Sequence, residues 1–233
     1  MKIEVLFPEF CNLYGDISNI TYLKKCLPDA EFIETEFNSI PKFATEEMDL
    51  IYLGPMTERM QEKVIEKFME YKERLKELID QGTNFLFTGN SFEILGKEIE
   101  NEDGRKIEAL GLIPITSKRD MFHRFNDMIL GEFYEMKIVG FKSQFTQSYG
   151  DNRDCYFLKN RMGAGLNKQS SFEGVKINNF IGTYLLGPIL ILNPLFTKYL
   201  LNSMGVENPK LAFEEEIMKA YEKRLKEFER LVK

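Results

Sequence analysis

The sequence predicts an α/β domain of three layers, with a mixed sheet and helices on both of its faces. In the first half of the chain, short apolar runs that fit buried strands alternate with longer segments of helical periodicity. In the second half, aromatic and β-branched runs are separated by Gly, Asn and Ser, which favours strands joined by turns. A chain of 233 residues is long enough to bury one core of this kind without disulfides.

The first half is predicted to alternate strands with helices. Apolar or alternating runs predict strands at 3–7, 32–37, 49–54 and 84–88. One helix, capped by Asp16 or Ser18, is predicted through residue 27. A second is predicted over 56–80, with Gly82 just beyond it in the position that glycine prefers after a helix.

The second half of the chain is predicted to contain mainly strands and turns. The polar stretch 97–106 predicts an exposed hairpin or loop. Strands are predicted at 128–143, 155–159, 172–177 and 180–186. Asn193-Pro194 and Asn208-Pro209 each predict a helix start, because Asn caps helices and Pro fits their first turn. The last helix carries an apolar stripe formed by Phe213, Ile217, Tyr221, Leu225, Phe228 and Leu231.

This stripe suggests where the chain divides. We predict a domain over 1–203 and a C-terminal amphipathic helix over 204–233 that packs on the domain or on a partner. The sequence contains no internal repeat and no clear linker, so it gives no sign of a second large domain.

Composition narrows the classes of function. The net charge is −6 with both signs interspersed, which argues against nucleic acid and anionic lipid as partners. The three cysteines have unrelated spacings and form no CxxC pair, so we expect neither disulfides nor a metal site. No segment approaches the roughly 20 apolar residues that cross a bilayer. We therefore expect a cytoplasmic protein without a membrane span.

One segment has the layout of a nucleophile elbow, but it lacks the nucleophile. Residues 84–96 begin as an apolar strand, pass through small turn-forming residues and continue into an apolar segment predicted to be helical. In such an elbow a sharp turn exposes one reactive side chain at the end of the sheet. Here the turn position is Gly89, which has no side chain.

Several segments, in order along the chain, resemble the glutaminase-type amidotransferases related to cobyric acid synthase. The strongest is Gly182-Thr-Tyr-Leu-Leu-Gly-Pro188, followed by Asn193-Pro194, which is similar to the family's Gly-Thr-Tyr-x-His-Gly-Pro segment and its Asn-Pro. Weaker likenesses lie at 6–19, 49–61, 110–114 and 139–144. Among family members, the likeness is greatest to glutaminase subunits of cell-wall precursor amidation. The resemblance implies a class I amidotransferase (flavodoxin-like) fold and covers residues 1–203.

In that family a cysteine at the elbow attacks the glutamine amide, a histidine moves protons, and backbone N–H groups stabilise the oxyanion. This chain departs from the family at all three places. The resemblance puts Gly89 at the cysteine and Leu186 at the histidine. The oxyanion loop becomes Gly54-Pro55-Met56, in which proline has no N–H to donate.

Other residues carry groups that could replace the missing nucleophile and base. Ser91 could act as nucleophile with His123, the only histidine, as base, but Ser91 also fits a capping role. Cys11 follows the first strand and could also act as nucleophile, although a small buried cysteine is the ordinary expectation. Lys118, Arg119 and Arg124 could hold a substrate carboxylate or form a solvated charge cluster.

A residual pocket is expected at Asn90, Ser91 and Arg119, with extra volume left by Gly89 and an apolar wall from Leu186. Asp16, Asn19 and Glu93 are expected to be structural turn and capping groups.

Two hypotheses follow. The first is a non-catalytic amidotransferase-like subunit that binds a ligase of the Mur type, with or without a small molecule in the pocket. The second is an active glutaminase with a rearranged site. No cofactor is expected in either case.

Overall fold

The computed structural model describes residues 1–232 and contains fourteen strands and six α-helices in that part of the chain. The strands are β1 (Lys2–Leu6), β2 (Glu31–Thr35), β3 (Leu50–Leu53), β4 (Asn84–Thr88), β5 (Glu98–Glu100), β6 (Lys106–Glu108), β7 (Thr116–Arg119), β8 (Phe125–Phe133), β9 (Met136–Gln144), β10 (Thr146–Tyr149), β11 (Leu158–Met162), β12 (Phe172–Glu173), β13 (Val175–Ile177) and β14 (Phe180–Thr183). The helices are α1 (Ser18–Cys26), α2 (Glu58–Met69), α3 (Lys72–Gln81), α4 (Ile189–Leu192), α5 (Pro194–Ser203) and α6 (Glu214–Leu231).

A six-stranded mixed sheet forms the middle layer, as the sequence predicted. Its strand order is β13-β14-β4-β3-β1-β2, and every neighbouring pair is parallel except β13 and β14. Strands β3, β4 and β14 are buried along their whole length, as expected for parallel strands covered on both faces. The carboxyl ends of β1, β3, β4 and β14 therefore meet at one edge, where α/β sheets bind ligands.

The two faces of this sheet carry separate cores. Phe85 and Phe87 of β4 pack with α2 and α3 through residues such as Phe68. The intervening Leu86 belongs to the other core, with residues of α1 and α5. This alternation follows from the two-residue side-chain period of a strand, and it makes the three predicted layers.

Two smaller four-stranded sheets lie between β4 and β13 in the sequence. Their orders are β10-β7-β5-β6 and β12-β11-β8-β9. Strands β5 and β6 form the hairpin predicted near 97–106. The single strand predicted over 128–143 was wrong, because the chain turns at Tyr134, which has a φ of 51°, and β8 and β9 pair antiparallel over their full lengths.

Several helix boundaries differ from the predictions. The helix predicted over 56–80 is two helices, α2 and α3, although Gly82 does end α3 in a left-handed conformation (φ 85°). The segment after the elbow, predicted to be helical, is a 3₁₀ helix over Gly89–Leu95. Asp16 does not cap α1, because its carboxyl is buried against other strands.

The last helix begins later than Asn208-Pro209 suggested, at Glu214, after Phe213 takes a left-handed conformation. It packs on β8 and β9, where Tyr221 lies with Leu130 and Val139. The Tyr221 hydroxyl donates to the Lys137 carbonyl at 2.7 Å. Division of the chain at residue 203 stays a prediction. No helix within residues 1–232 combines the length and apolar character needed to cross a membrane.

Asn193 does more than begin a helix. Its side chain accepts from the Val139 N–H at 2.8 Å and donates to the Val139 carbonyl at 2.9 Å, so it fixes α5 to the buried strand β9. No side-chain capping bond is formed. We expect Asn193→Ala to lower the free energy of unfolding by about 2–3 kcal/mol, since it leaves buried backbone groups unpaired. Urea unfolding measures the change, and a loss below about 0.5 kcal/mol would contradict this role.

Candidate functional site

The elbow turn is present at the carboxyl end of β4. The strand ends at Thr88, and Gly89 follows with a φ of 60°. This left-handed conformation is the strained geometry by which an elbow turns sharply from strand to helix. The backbone therefore has the shape that would present a side chain at this edge of the sheet.

The space in front of Gly89 is filled. A Cβ atom built on Gly89 would lie 2.5 Å from Pro55 Cβ and 3.3 Å from Leu186 Cδ2. The first distance is far inside van der Waals contact, and Pro55 cannot swing away because its ring is part of the backbone. The expected extra volume at Gly89 is thus wrong: Pro55 occupies it, and Leu186 closes the neighbouring wall.

The loop that corresponds to the oxyanion loop is held by hydrogen bonds within the protein. The Met56 N–H donates to Asn90 Oδ1 at 3.1 Å, and Asn90 Nδ2 donates back to the Met56 carbonyl at 2.8 Å. The Pro55 carbonyl accepts from the Leu13 N–H at 3.1 Å. Gly54 is needed for close approach, because a Cβ there would lie 2.2 Å from the Cys11 carbonyl oxygen.

A cleft of about 150 Å³ remains beside this filled corner. Its lining includes the apolar residues Pro55 and Leu186 and the polar residues Tyr14, Arg124 and Gln144. The other lining residues are Leu13, Met56, Thr57, Glu58, Gly89, Asn90, Ser143, Phe145, Thr146 and Tyr184. Of Asn90, Ser91 and Arg119, only Asn90 lines this cleft, together with Gly89 and the apolar wall predicted at Leu186.

Arg124 is a cation that lines the cleft. Its guanidinium lies 4.4 Å from the centroid of the Phe145 ring, and Nη1 donates to the Tyr14 hydroxyl at 2.8 Å. Tyr14 itself has a φ of 61°, which is uncommon for a bulky residue. The cation–π contact and the hydrogen bond hold the guanidinium in place beside the cleft.

Ser91 and Cys11 are not placed for nucleophilic chemistry. Ser91 is fully buried, and its hydroxyl lies 2.7 Å from the Thr88 carbonyl and 3.0 Å from the Leu53 carbonyl, away from the cleft. Cys11 is buried, its Sγ lies 3.8 Å from Met56 Sδ, and burial raises the pKa of its thiol, which disfavours the reactive thiolate.

His123 does not face Ser91. Its side chain is 81% exposed, and Nδ1 pairs with the Asp120 carboxylate at 3.0 Å. Lys118 is also at the surface, where it pairs with Glu100 at 2.7 Å. Of the three cations that could hold a carboxylate, only Arg124 reaches the cleft.

Arg119 belongs to a buried network and not to the pocket. It is 4% exposed, and it donates to Glu62 at 2.7 Å, to Asn101 at 2.9 Å and to Gln61 Oε1 at 2.7 Å. Gln61 in turn donates to Glu93 Oε2 at 2.8 Å. The expected placement of Ser91 and Arg119 in the pocket is therefore corrected, since both side chains are buried by neighbouring elements.

Glu93 lies at the centre of this network. It is completely buried, and Tyr184 donates to its other oxygen at 2.7 Å. Burial raises the pKa of Glu93 to about 7, although the bonds from Gln61 and Tyr184 and the charge of Arg119 act in the opposite direction. The sequence predicts Glu93 as a structural group and gives no signal that Gln61 or Tyr184 contacts it. Only the fold brings together α2, the elbow and the residue that follows β14.

Asp16 ties the elbow to the N-terminal motif. Tyr52 and Thr88 each donate to its Oδ2 at 2.5 Å, and burial raises the pKa of the carboxyl. Asn19, three residues on, accepts from the Leu190 N–H at 3.0 Å. These bonds join the segments that the family resemblance singled out, so the framework around the elbow is intact.

Within residues 1–232, no cluster of three or more His, Cys, Asp and Glu side chains is arranged to hold a metal ion.

The fold and its elbow turn define a class I glutamine amidotransferase architecture. A solved glutamine amidotransferase superposes with a TM-score of 0.56 at 15% identity, covering 87% of this chain and 99% of that one. A glutamine amidotransferase from Thermotoga maritima gives 0.51 at 10% identity, covering 89% and 86%. At these identities the likeness shows the fold alone.

Residues 2–193 match the model of the CobB/CobQ-like glutamine amidotransferase domain. The chain belongs to this family. It is similar to the GatD subunit of lipid II isoglutaminyl synthase (glutamine-hydrolyzing) from Staphylococcus aureus, with 29% identity over 87% of this chain and 83% of that one. The GatD subunit from Streptococcus pneumoniae is 24% identical over 83% and 76%.

Proposed function

We propose that this chain is a catalytically degenerate amidotransferase subunit, which acts by binding in a complex for the amidation of cell-wall precursors. The observation that carries the proposal is the packing of Pro55 and Leu186 against Gly89. The 2.5 Å separation between Pro55 Cβ and a Cβ at Gly89 leaves no room for a nucleophile.

The size of the expected rate loss also supports a non-catalytic subunit. In a well-studied protease, removal of either the nucleophile or the base lowers the rate by roughly 10⁶. This chain has Gly89 and Leu186 at the two corresponding positions, and Asn90 binds the Met56 N–H of the oxyanion loop. Glutamine hydrolysis through the family's mechanism is therefore not expected.

The preserved framework supports a binding role. The bonds of Asp16 to Tyr52 and Thr88, and of Asn19 to Leu190, retain the shape of the elbow edge without its reactive groups. Two curated relatives are named as subunits of a lipid II isoglutaminyl synthase. We therefore propose a ligase of the Mur type as the partner, in the cytoplasm, with the cleft open to a small molecule.

A glutaminase assay tests the loss of catalysis. Purified protein is incubated with glutamine, alone and with the ligase subunit, and glutamate release is measured beside an active amidotransferase. We expect no release above background. Release that disappears in Ser91→Ala or Cys11→Ala would establish the rearranged enzyme instead, although the burial of both side chains argues against that outcome.

A separate measurement tests the binding role. The chain is co-expressed with a Mur-type ligase subunit, and the mass of the purified complex is determined by light scattering after size exclusion. We expect co-elution at a fixed stoichiometry. Separate elution at micromolar concentrations would contradict the subunit role and leave the catalytic question unaffected.

A further inference from the structure

Three buried hydroxyl groups form a continuous chain that ends on the Glu93 carboxyl. The Tyr184 hydroxyl lies 2.7 Å from Glu93 Oε1, Ser148 Oγ lies 2.6 Å from the Tyr184 hydroxyl, and Ser117 Oγ lies 2.8 Å from Ser148 Oγ. Ser117 is the most accessible of the four residues, at 3%. Tyr184, Ser148 and Ser117 are called the hydroxyl chain below. Tyr184 also lines the cleft.

The other oxygen of Glu93 faces a fixed donor. Gln61 Nε2 gives its two hydrogens to Glu93 Oε2 at 2.8 Å and to the Asn90 carbonyl at 2.6 Å. Its Oε1 accepts from Arg119 at 2.7 Å, and because a guanidinium only donates, the amide cannot turn over. A proton on the carboxyl therefore resides on Oε1, facing the hydroxyl chain.

The hydroxyl chain can satisfy either charge state of the carboxyl, because each hydroxyl both donates and accepts. When Glu93 is ionised, Tyr184 donates to Oε1. When Glu93 takes one proton from the solvent, its new O–H donates to the Tyr184 oxygen, and the Tyr184 hydroxyl turns to donate to Ser148. Neither state leaves a buried donor unpaired between the carboxyl and Ser148, which would otherwise be unfavourable.

We propose that the Glu93 carboxyl is a reversible proton-binding site in contact with Tyr184, a residue that lines the cleft, and that the hydroxyl chain reverses its hydrogen-bond direction when the proton binds. The site depends neither on glutamine hydrolysis nor on a partner. Proton binding thus changes the group to which the Tyr184 hydroxyl donates. Because Tyr184 lines the cleft, the hydrogen bonding of the cleft lining depends on pH.

The charges that face Glu93 set its affinity for the proton. Arg119 on β7 favours the ionised form, and Glu58 on α2 favours the neutral form. Behind Tyr184, the Lys142 ammonium lies 5.6 Å from the ring centroid, and the buried Glu173 accepts from the Tyr184 N–H at 2.8 Å. Burial is the largest influence, and it raises the pKa of Glu93 from 4.5 to about 7.

The raised pKa of Glu93 makes the stability of the fold depend on pH. The folded protein holds the proton more tightly than the unfolded chain, so the stabilisation is complete below pH 4.5 and is lost as the pH rises to about 7. Relative to Glu93→Gln, the ratio of folded to unfolded protein is expected to fall by about two orders of magnitude across this window. Above about pH 7, the difference in stability between the protein and Glu93→Gln no longer changes with pH.

Carbon NMR of protein labelled at the glutamate Cδ observes the site directly. We expect one buried glutamate resonance to titrate with a midpoint near pH 7 and to vanish in Glu93→Gln, which preserves shape. Glu4→Gln and Glu173→Gln assign the other two fully buried glutamates. A Glu93 resonance that titrates below pH 5, or that does not change between pH 5 and 9, would overturn the proposal.

Two variants test the reversal. Tyr184→Phe removes a donor to the ionised carboxyl, and charge-assisted bonds are the stronger ones, so the midpoint is expected to rise by about one pH unit. Ser148→Ala removes the acceptor that Tyr184 needs when Glu93 is neutral, so the midpoint is expected to fall by about one unit. Shifts in the same direction, or no shift with Ser148→Ala, would show that the hydroxyl chain does not reverse.

Discussion

Gly89→Ala is expected to lower the free energy of unfolding by about 2–4 kcal/mol. About 1 kcal/mol comes from the left-handed φ of 60°, which an alanine tolerates poorly. A further 1–3 kcal/mol is expected from overpacking against Pro55, whose Cβ would lie 2.5 Å from the new atom. Urea unfolding followed by circular dichroism measures the change.

Gly104→Ala is the matched control for the backbone contribution. Gly104 has a φ of 79°, but no atom lies within 4 Å of an added Cβ, so only the conformational cost of about 1 kcal/mol is expected. In a Pro55→Gly background, Gly89→Ala is expected to cost at least about 1 kcal/mol less than in the original chain. Equal costs in both backgrounds would show that Pro55 does not fill the elbow.

Arg119→Met is expected to lower the free energy of unfolding by about 3 kcal/mol. The substitution leaves Gln61 Oε1 without its donor and removes the buried partner of the Glu62 carboxylate, which then keeps only the exposed Arg105. For a chain of this length, the corresponding drop in melting temperature is about 6–12 °C. Loss of the Arg119 charge is also expected to raise the pKa of Glu93 above about 7, because that charge favours the ionised form.

Arg105→Met is the matched control, because Arg105 pairs with the same carboxylate. Its Nη2 lies 3.3 Å from Glu62 Oε2, but its side chain is 57% exposed. Exposed ion pairs contribute little, so a change within about 0.5 kcal/mol is expected. If the two variants were equally destabilised, the buried network would have no special part in stability.

The alternation of strands and helices was predictable because it rests on local periodicity. The run from Asn84 to Thr88 has the composition of a buried strand, and its fully buried place in the sheet follows from that. The exact ends of the helices depended on contacts with residues that are distant in the sequence. Asn208-Pro209 has a strong start signal, yet α6 begins at Glu214, whose carboxylate accepts from the Leu211 N–H at 3.1 Å and pairs with Lys198.

The candidate site was predictable only in part. Gly89, Leu186 and Pro55 were identified because each lies within a segment that resembles a family motif. Arg119 and Ser91 were expected in the pocket because their residue types suit binding and catalysis. The structure buries both side chains under residues from distant parts of the chain, which the local sequence does not reveal. Arg119 and Glu62, for example, are 57 positions apart.

By itself, the sequence determined the layered α/β fold and the family, and it predicted the absence of the expected nucleophile and base, because residue identity and periodicity are local properties. Only the tertiary structure decided what stands in their place. It brings the Pro55 ring and the Leu186 side chain against Gly89, and it encloses Glu93 among Gln61, Tyr184 and the serines beyond it. Steric exclusion and burial depend on atoms that are adjacent in space and remote in sequence.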